Sequence, residues 1–399
     1  MKKKILILMP SMFIGGAERS LIGLLDSMDY EKYDVHLFLY RHEGEFFNLI
    51  HKRVNILPQN DDYRTFDTPI KDILFSRNFK FGIARLLSKL DIIKNSTNGK
   101  EKNVWSSMQY IYKRLVPMLP NISGEYDLAI NFLGIGDVLV NKVNAKKKIT
   151  WVHTDYMKLV PDKELDLKIY SQIDYIVNVS DKCEESFLKV YPQLKNKSLL
   201  IENIISDEFL KKQANEIMND TFNKDSEKQI ILLSVGRFSD AKNFDNIPSI
   251  CQEVINSGCD VKWYIIGYGG DEKLIKSKIK EFRMEDRVIM LGKKINPYPY
   301  IKACDIYVQP SRYEGKAVTV REAQILNKPV IITNFATANS QLTDGFDGII
   351  VPMDNEGCAN GIVKLIKDKE LQSKLIENTK KTDYSNKEEI KKIYNILGE

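Results

Sequence analysis

Short runs of apolar residues recur along the whole chain, and longer polar or helix-like segments separate them. Near-continuous apolar runs rich in Ile, Val and Leu are typical of parallel strands buried on both faces of a sheet. Their alternation with helical segments predicts the α/β class. The predicted strands are 5–9, 35–40, 54–57, 128–133, 149–152, 175–179, 199–205, 230–235, 261–266, 288–291, 306–308, 330–332 and 349–351.

The runs form two series, separated by the largely polar stretch 207–229. A chain of 399 residues is long enough for two domains. Each series predicts a doubly wound, Rossmann-like domain. We therefore expect an N-terminal domain at 1–205, a C-terminal domain at 206–380, and a last helix within 381–399 that crosses back to the first domain.

Segment 71–116 interrupts the alternation and is predicted to be a helical insertion. Part of it has the spacing of an amphipathic helix, with apolar residues three or four positions apart. These are Phe75, Phe79, Ile83, Leu86, Leu87, Leu90 and Ile93. Basic residues lie between them, namely Lys71, Arg77, Lys80, Arg85 and Lys89. Two interpretations stay open: a helix with a solvated basic face, or a helix that rests on an anionic membrane.

Composition narrows the class of protein. Hydrophobic residues make up 43% and charged residues 28%, which is ordinary for a folded globular protein. The net charge of +5 is too small to indicate nucleic-acid binding. The five cysteines include no C-x-x-C pair, so we expect reduced thiols and no metal site. The N-terminal apolar run ends at Pro10, which favours a buried strand over a signal peptide, and no run is long enough to span a membrane.

The loop after the first strand contains Gly15 and Gly16. Paired glycines between a strand and a helix let the backbone approach an anion, although a tight structural turn has the same sequence. The loop is not G-x-G-x-x-G, and Arg41 and His42 follow the second strand where a ribose-binding acid would stand. A nicotinamide-dinucleotide site is therefore disfavoured.

Two further loops carry candidate chemistry. Arg237 and Lys242 follow the strand 230–235, where two cations can converge on a diphosphate; solvated surface cations are the alternative. Glu314 follows the strand 306–308, and Glu322 falls in the second turn of a helix predicted to begin near Ala317. The helix start would offer N–H groups to phosphate oxygens, and the carboxylates could accept hydrogen bonds from sugar and ribose hydroxyls. Two surface glutamates are the alternative.

The Glu-x7-Glu spacing, the preceding Gly-Arg…Lys loop and the Gly-Gly-Ala-Glu opening together resemble glycosyltransferase family 4, and in particular its bacterial capsule and exopolysaccharide enzymes. The resemblance extends from residue 5 to about residue 366 and is strongest over 313–353. It implies the GT-B fold, in which two Rossmann-like domains face a central cleft, and a retaining transfer. One departure is Lys316, where many members of the family have an aromatic residue.

The resemblance also implies a role for each matching residue. The implied catalytic residues are Glu314, His153, Arg237 and Lys242, with Asp155 as a companion of the histidine. The implied donor-binding residues are Gly15, Gly16, Arg237, Lys242, Gly267, Lys294, Glu314, Lys316, Ala317, Val318, Thr319 and Glu322. Arg237 and Lys242 would bind the diphosphate, Glu314 the donor sugar and Glu322 the ribose.

The implied function is the transfer of a sugar from a nucleoside diphosphate sugar, expected to be a UDP-sugar, to a saccharide or lipid-linked saccharide in cell-surface polysaccharide synthesis. The two cations can stand in for a metal, so neither a metal nor a cofactor is expected. The expected location is the cytoplasm, at the inner face of the plasma membrane if the insertion binds lipid. A non-catalytic GT-B partner subunit and a sugar-nucleotide epimerase are the alternatives, and a dehydrogenase is disfavoured.

Overall fold

The structure is a computed structural model that describes residues 2–96, 104–218, 222–314 and 317–398. The chain divides into two compact units. Unit 1 combines Met1–Ile205 with the C-terminal segment Asn386–Glu399, and unit 2 is Ser206–Ser385. The predicted C-terminal segment began at residue 381, but residues 381–385 belong to unit 2.

Unit 1 is built on a parallel sheet, which has seven strands in the described residues, in the order β3-β2-β1-β4-β5-β6-β7. The strands are β1 (Lys3–Met9), β2 (Tyr33–Leu39), β3 (Asn55–Ile56), β4 (Glu125–Asn131), β5 (Asn144–Val152), β6 (Tyr175–Asn178) and β7 (Ser198–Leu200). The central strand β1 shows why the apolar runs mark strands. Its residues from Ile5 to Met9 are all fully buried, because helices cover both faces of the sheet.

Before residue 206, the described α-helices of unit 1 are α1 (Gly16–Asp26), α2 (Ile70–Leu74), α3 (Phe79–Ser96), α4 (Val104–Leu115), α5 (Asp137–Lys142), α6 (Lys163–Tyr170) and α7 (Asp181–Val190). Two of these helices have an N-cap side chain: Asp162 accepts hydrogen bonds from backbone N–H groups in the first turn of α6, and Ser180 accepts one in the first turn of α7.

The insertion between β3 and β4 consists of α2, α3 and α4, and the predicted amphipathic helix is present as α3. The apolar face that the spacing predicts is exposed rather than buried. The face of α3 that packs on the unit consists of Phe81, Ala84 and Ser88. Small and polar residues at two of these three positions hide the packed face from a pattern based on hydrophobicity.

Unit 2 has a second parallel sheet, with six strands in the described residues, in the order β10-β9-β8-β11-β12-β13. Its strands are β8 (Ile230–Val235), β9 (Val261–Ile266), β10 (Val288–Gly292), β11 (Ile306–Gln309), β12 (Val330–Thr333) and β13 (Ile349–Val351). Its helices are α8 (Asp207–Gln213), α9 (Ile247–Asn256), α10 (Glu272–Glu281), α11 (Tyr298–Ala303), α12 (Val318–Ile325), α13 (Asn355–Lys367) and α14 (Lys369–Lys381). The predicted α/β class with two doubly wound sheets is confirmed.

The chain ends with α15 (Ile390–Ile396), which packs in unit 1. All five cysteines are free thiols. Among the described helices, none has both the length and the hydropathy that crossing a bilayer requires.

Candidate functional site

The strand order of unit 2 reverses between β8 and β11, which are hydrogen-bonded neighbours. Chain connections leave these two strands toward opposite sides, so a crevice opens at their carboxyl ends, and ligands of doubly wound sheets bind there. The loop after β8 contains Arg237 and Lys242, and the loop after β11 contains Glu314. The topology therefore brings these three residues of the predicted site to one crevice.

The two cations are held differently. The Lys242 Nζ lies 2.5 Å from the Glu314 Oε1, and only 17% and 9% of the two side chains are exposed. Arg237 is exposed and makes no hydrogen bond or ion pair with a described residue. Its guanidinium can therefore bind an incoming anion without breaking a contact, whereas Lys242 is already fixed by its partner.

Glu314 is fixed by a buried network that leads back into β11. Its Oε1 also accepts hydrogen bonds from the Ser311 hydroxyl at 2.6 Å and the Gln309 amide at 3.3 Å, and both of these residues are fully buried. The Tyr307 hydroxyl donates to the Gln309 amide oxygen at 2.7 Å and so orients that amide. All these contacts involve Oε1, and Oε2 has no partner among the described residues. One oxygen of Glu314 thus remains available as an acceptor.

Sequence reasoning did not identify Gln309 and Ser311. They stand at the carboxyl end of an apolar strand, where polar residues commonly begin a turn. Their complete burial is visible only in the structure. The available signal for a buried polar network was Gln309, a polar residue at the last position of a buried strand, and this signal is weak.

The start of α12 supplies backbone donors beside this network. Gly315 and Lys316 lie outside the described residues. Ala317 is the N-cap of α12, and its N–H donates to the Gln341 side chain at 2.9 Å. The N–H groups of Val318 and Thr319 belong to the first turn, where no intrahelical acceptor exists. These two amides can donate to an anion.

Glu322 lies further along α12 and is only 1% exposed. The Tyr298 hydroxyl of α11 donates to its Oε1 at 3.0 Å. The Glu322 carboxylate is thus buried and bound to Tyr298, a partner that the sequence did not predict.

Two glycines after β9 pack closely against the backbone of the loop that carries Arg237. A Cβ at Gly267 would lie 1.8 Å from the Gly236 carbonyl oxygen, and a Cβ at Gly269 would lie 2.3 Å from the Phe238 carbonyl oxygen. Both glycines have φ near +155°, a conformation that other residues rarely adopt. Only glycine therefore lets the loop after β9 contact the loop after β8 so closely.

Lys294, one of the implied donor-binding residues, follows β10. Its Nζ lies 5.7 Å from the centre of the Tyr300 ring. The neighbouring Lys293 lies 5.3 Å from the centre of the Tyr268 ring in the loop after β9. Each ammonium thus contacts an aromatic face, at a distance typical of a cation–π contact.

The predicted residues of unit 1 follow β1 and β5. Gly15 is the N-cap of α1, and the Glu18 carboxylate lies only 2.2 Å from the position that a Cβ of Gly15 would take. Burial raises the pKa of Glu18. The space above Gly16 is open. The start of α1 thus carries an acidic side chain of its own beside the predicted glycines.

His153 follows β5 and packs against Phe132, with ring centres 5.0 Å apart. Its Nε2 lies 2.9 Å from the Phe132 carbonyl oxygen, and a carbonyl can only accept. The Nε2 therefore carries the proton and the Nδ1 is an acceptor. Burial lowers the pKa of His153 to about 4, so the ring is neutral at pH 7. The predicted companion, Asp155, accepts from Ser186 and caps the turn that begins at Tyr156, which is a structural role.

No group of three or more His, Cys, Asp or Glu side chains in the described part of the chain is arranged to hold a metal ion.

Residues 216–382 match the family described as "Glycosyl transferases group 1", and this match falls entirely within unit 2. A Campylobacter jejuni enzyme named N-acetylgalactosamine-N,N'-diacetylbacillosaminyl-diphospho-undecaprenol 4-alpha-N-acetylgalactosaminyltransferase is 26% identical over 59% of this chain and 61% of its own length. The Staphylococcus aureus capsular polysaccharide biosynthesis glycosyltransferase CapM is 27% identical over 47% of this chain and 50% of its own length. The chain thus spans about half to three fifths of these curated relatives.

Two solved structures have the same fold over nearly the whole chain. The crystal structure of TarM is similar with a TM-score of 0.68, at 16% identity and over 100% of this chain and 99% of that one. Anabaena HepE, solved with UDP and glucose, is similar with a TM-score of 0.66, at 15% identity and over 99% of both chains. Residues 216–382 are therefore similar to the group 1 glycosyl transferases, and the chain as a whole has the GT-B fold. Membership of family 4 stays a prediction.

Proposed function

We propose that this chain transfers a sugar, with retention of anomeric configuration, from a UDP-sugar to a saccharide or lipid-linked saccharide acceptor in cell-surface polysaccharide synthesis. The observation that carries the proposal is the group of residues at the carboxyl ends of β8 and β11. There an exposed arginine lies in the same crevice as a buried Lys242–Glu314 pair and the start of α12.

In this proposal the leaving diphosphate is bound by positive charge and by backbone donors. The Arg237 guanidinium chelates phosphate oxygens, and Lys242 adds a point charge. The N–H groups of Val318 and Thr319 donate to the same phosphates. Because the charge on the diphosphate grows as the bond to the sugar breaks, donors that are already in place stabilise the transition state more than the ground state.

The two glutamates bind on either side of the phosphates. The Oε2 of Glu314 accepts a hydrogen bond from a donor-sugar hydroxyl, while its Oε1 keeps the contacts with Lys242 and Ser311. Glu322 contacts the ribose together with Tyr298, whose hydroxyl fixes the carboxylate. His153 is neutral and presents Nδ1, which suits an acceptor of a sugar hydroxyl rather than a general acid.

The choice of UDP and of the acceptor is supported by similar proteins. HepE was solved with UDP and glucose, and the Campylobacter relative is named for a diphospho-undecaprenol acceptor. CapM is named for capsular polysaccharide biosynthesis. We also propose that Arg237 and Lys242 neutralise the diphosphate without a metal ion. Transfer that is unchanged in excess EDTA would support this part, and transfer that requires added Mg²⁺ or Mn²⁺ would contradict it.

A thermal-shift experiment on the full chain tests the donor site. UDP, GDP, ADP and CDP are compared, and selective stabilisation by UDP is expected. Arg237→Ala should abolish that stabilisation without lowering the melting temperature of the free protein. Lys374→Ala, an exposed lysine on α14, is the matched control and should keep it.

Each other result has a defined meaning. Selective stabilisation by a different nucleotide would change the base and keep the site. Stabilisation that survives Arg237→Ala would place the diphosphate elsewhere. No shift with any nucleotide at millimolar concentration would favour the non-catalytic partner subunit.

A further inference from the structure

Helix α3 carries an unusual amount of exposed apolar surface. Six large apolar side chains lie on its outer side, and between 42% and 61% of each is exposed. They are Phe79, Ile83, Leu86, Leu87, Leu90 and Ile93. The opposite side of the helix is the one that packs on unit 1, through Phe81, Ala84 and Ser88. The exposed set is therefore a second apolar face, which we call the α3 outer face, and no described part of the chain covers it.

The α3 outer face is one continuous stripe. At about 100° of rotation per residue, its six members fall within roughly a third of the helix circumference. Phe75, in the turn between α2 and α3, is 86% exposed and extends the apolar surface. Scattered apolar residues on a protein surface are normal, but a contiguous patch marks an interaction site.

Lysines border the stripe on both sides. By the same rotation, Lys80 lies along one edge and Lys89 along the other, while Lys94 follows the last apolar residue at the C-terminal end of the stripe; all three are exposed. The acidic residue of this helix, Asp91, is bound by two hydrogen bonds from Arg114 of α4, at 2.7 and 2.9 Å. The border of the α3 outer face is therefore positively charged.

We infer that the α3 outer face docks on the surface of an anionic phospholipid bilayer. An apolar stripe edged by lysines is the arrangement of a helix that lies in the membrane interface, where apolar side chains enter the acyl region and ammonium groups meet lipid phosphates. A second copy of this chain fits less well. A symmetric contact between two α3 outer faces would set lysines of one copy against lysines of the other.

Arg85 belongs to the fold and not to this surface. Its Nη1 donates to the carbonyl oxygens of Thr65 and Phe66 at 2.6 and 2.7 Å. Reversing the charge at Arg85 would break these contacts, so a loss of vesicle binding could not be distinguished from misfolding. The informative charge changes are at Lys80 and Lys89, which are exposed and make no hydrogen bond or ion pair with a described residue.

The test is co-sedimentation of the full chain with vesicles of phosphatidylcholine alone or with about a third phosphatidylglycerol, near physiological salt. The wild-type chain should bind the anionic vesicles. Ile83→Gln/Leu86→Gln/Leu90→Gln should lower the bound-to-free ratio roughly tenfold or more. Lys80→Glu/Lys89→Glu should cause a similar loss on anionic vesicles. Leu274→Gln/Met353→Gln, which removes two exposed apolar side chains of unit 2, is the control and should bind like the wild type.

Three results would overturn the inference. The wild-type chain could stay in the supernatant, or the triple variant could sediment with vesicles like the wild type. In the third, the triple variant differs from the wild type only in its oligomeric mass in solution and not in vesicle binding. The last result would assign the face to a contact between copies. The stabilisation by UDP is measured on the same variants and should be unchanged, so failure of the docking surface and failure of the proposed donor site are distinguishable.

Discussion

Asp137 is a carboxyl group in an unfavourable environment. It lines a cavity of about 320 Å³ in unit 1 together with Asp166. Burial, and then the negative charge of Asp166, raise the pKa of Asp137 to about 7. The unfolded chain has an ordinary carboxyl pKa near 4. Between these values the folded chain holds a proton that the unfolded chain has lost, so stability falls as the pH rises from about 4 to about 7.

We therefore expect Asp137→Asn to be more stabilising at pH 8 than at pH 4. The amide keeps the shape and removes the charge, and a shift of this size corresponds to about 4 kcal/mol when fully expressed. Urea unfolding of both proteins across this pH range measures the effect. A free-energy difference that does not change with pH would contradict the expected environment of Asp137.

Lys242 and Arg237 should differ in their effect on stability. Lys242→Ala leaves the buried Glu314 carboxylate without its cation and should lower the free energy of unfolding by about 3 kcal/mol. Arg237→Ala removes an exposed side chain and should change it by less than about 0.5 kcal/mol. Lys242→Ala/Glu314→Gln should recover part of the loss, because no unpaired charge remains. Equal losses for the two single variants would argue against the observed pairing.

At the scale of elements, the loops after β8 and β9 are fixed by glycine. Gly267→Ala would force its Cβ against the Gly236 carbonyl oxygen and should move the loop that carries Arg237. We expect a loss of about 1–3 kcal/mol in stability and weaker stabilisation by UDP. Gly270→Ala is the control, since nothing lies within 4 Å of its Cβ position. Unchanged melting temperature and UDP response in both variants would contradict the close packing.

The strands were predictable from sequence and the buried polar network was not. A parallel strand covered on both faces must be apolar throughout, so β8 and β9 match the predicted runs at both ends. The spacing of α3 predicts an amphipathic helix, but it does not tell whether the stripe meets the core or the outside. The contacts of Glu314 depend on distant residues that fold against it, and no local pattern encodes them.

At the scale of the whole molecule, the end of the chain returns to the unit where the chain begins. The backbone N–H of Glu202, just before unit 2, donates to the Glu389 carboxylate at 2.8 Å. Further along, the backbone N–H of Asp29 donates to the Tyr394 hydroxyl at 2.9 Å. The segment that follows unit 2 is therefore part of the fold of unit 1, and we expect the stability of that unit to depend on it.

Tyr394 is the residue of the last segment on which this dependence can be measured. Its ring stacks on Tyr33 of β2, with ring centres 4.5 Å apart. Tyr394→Ala should lower the unfolding free energy of unit 1 by about 3 kcal/mol, because the stacked ring and the acceptor for Asp29 are both lost. Tyr394→Phe keeps the ring and should cost only about 1 kcal/mol.

Stabilisation by UDP separates this effect from the site in unit 2. If the last segment serves unit 1 alone, UDP should raise the melting temperature of Tyr394→Ala by as much as that of the wild type, from a lower starting value. Urea unfolding and the thermal shift are measured on the same preparations. If Tyr394→Ala is as stable as the wild type, the last segment contacts unit 1 but does not stabilise it, because removing a stabilising contact must lower the free energy of unfolding.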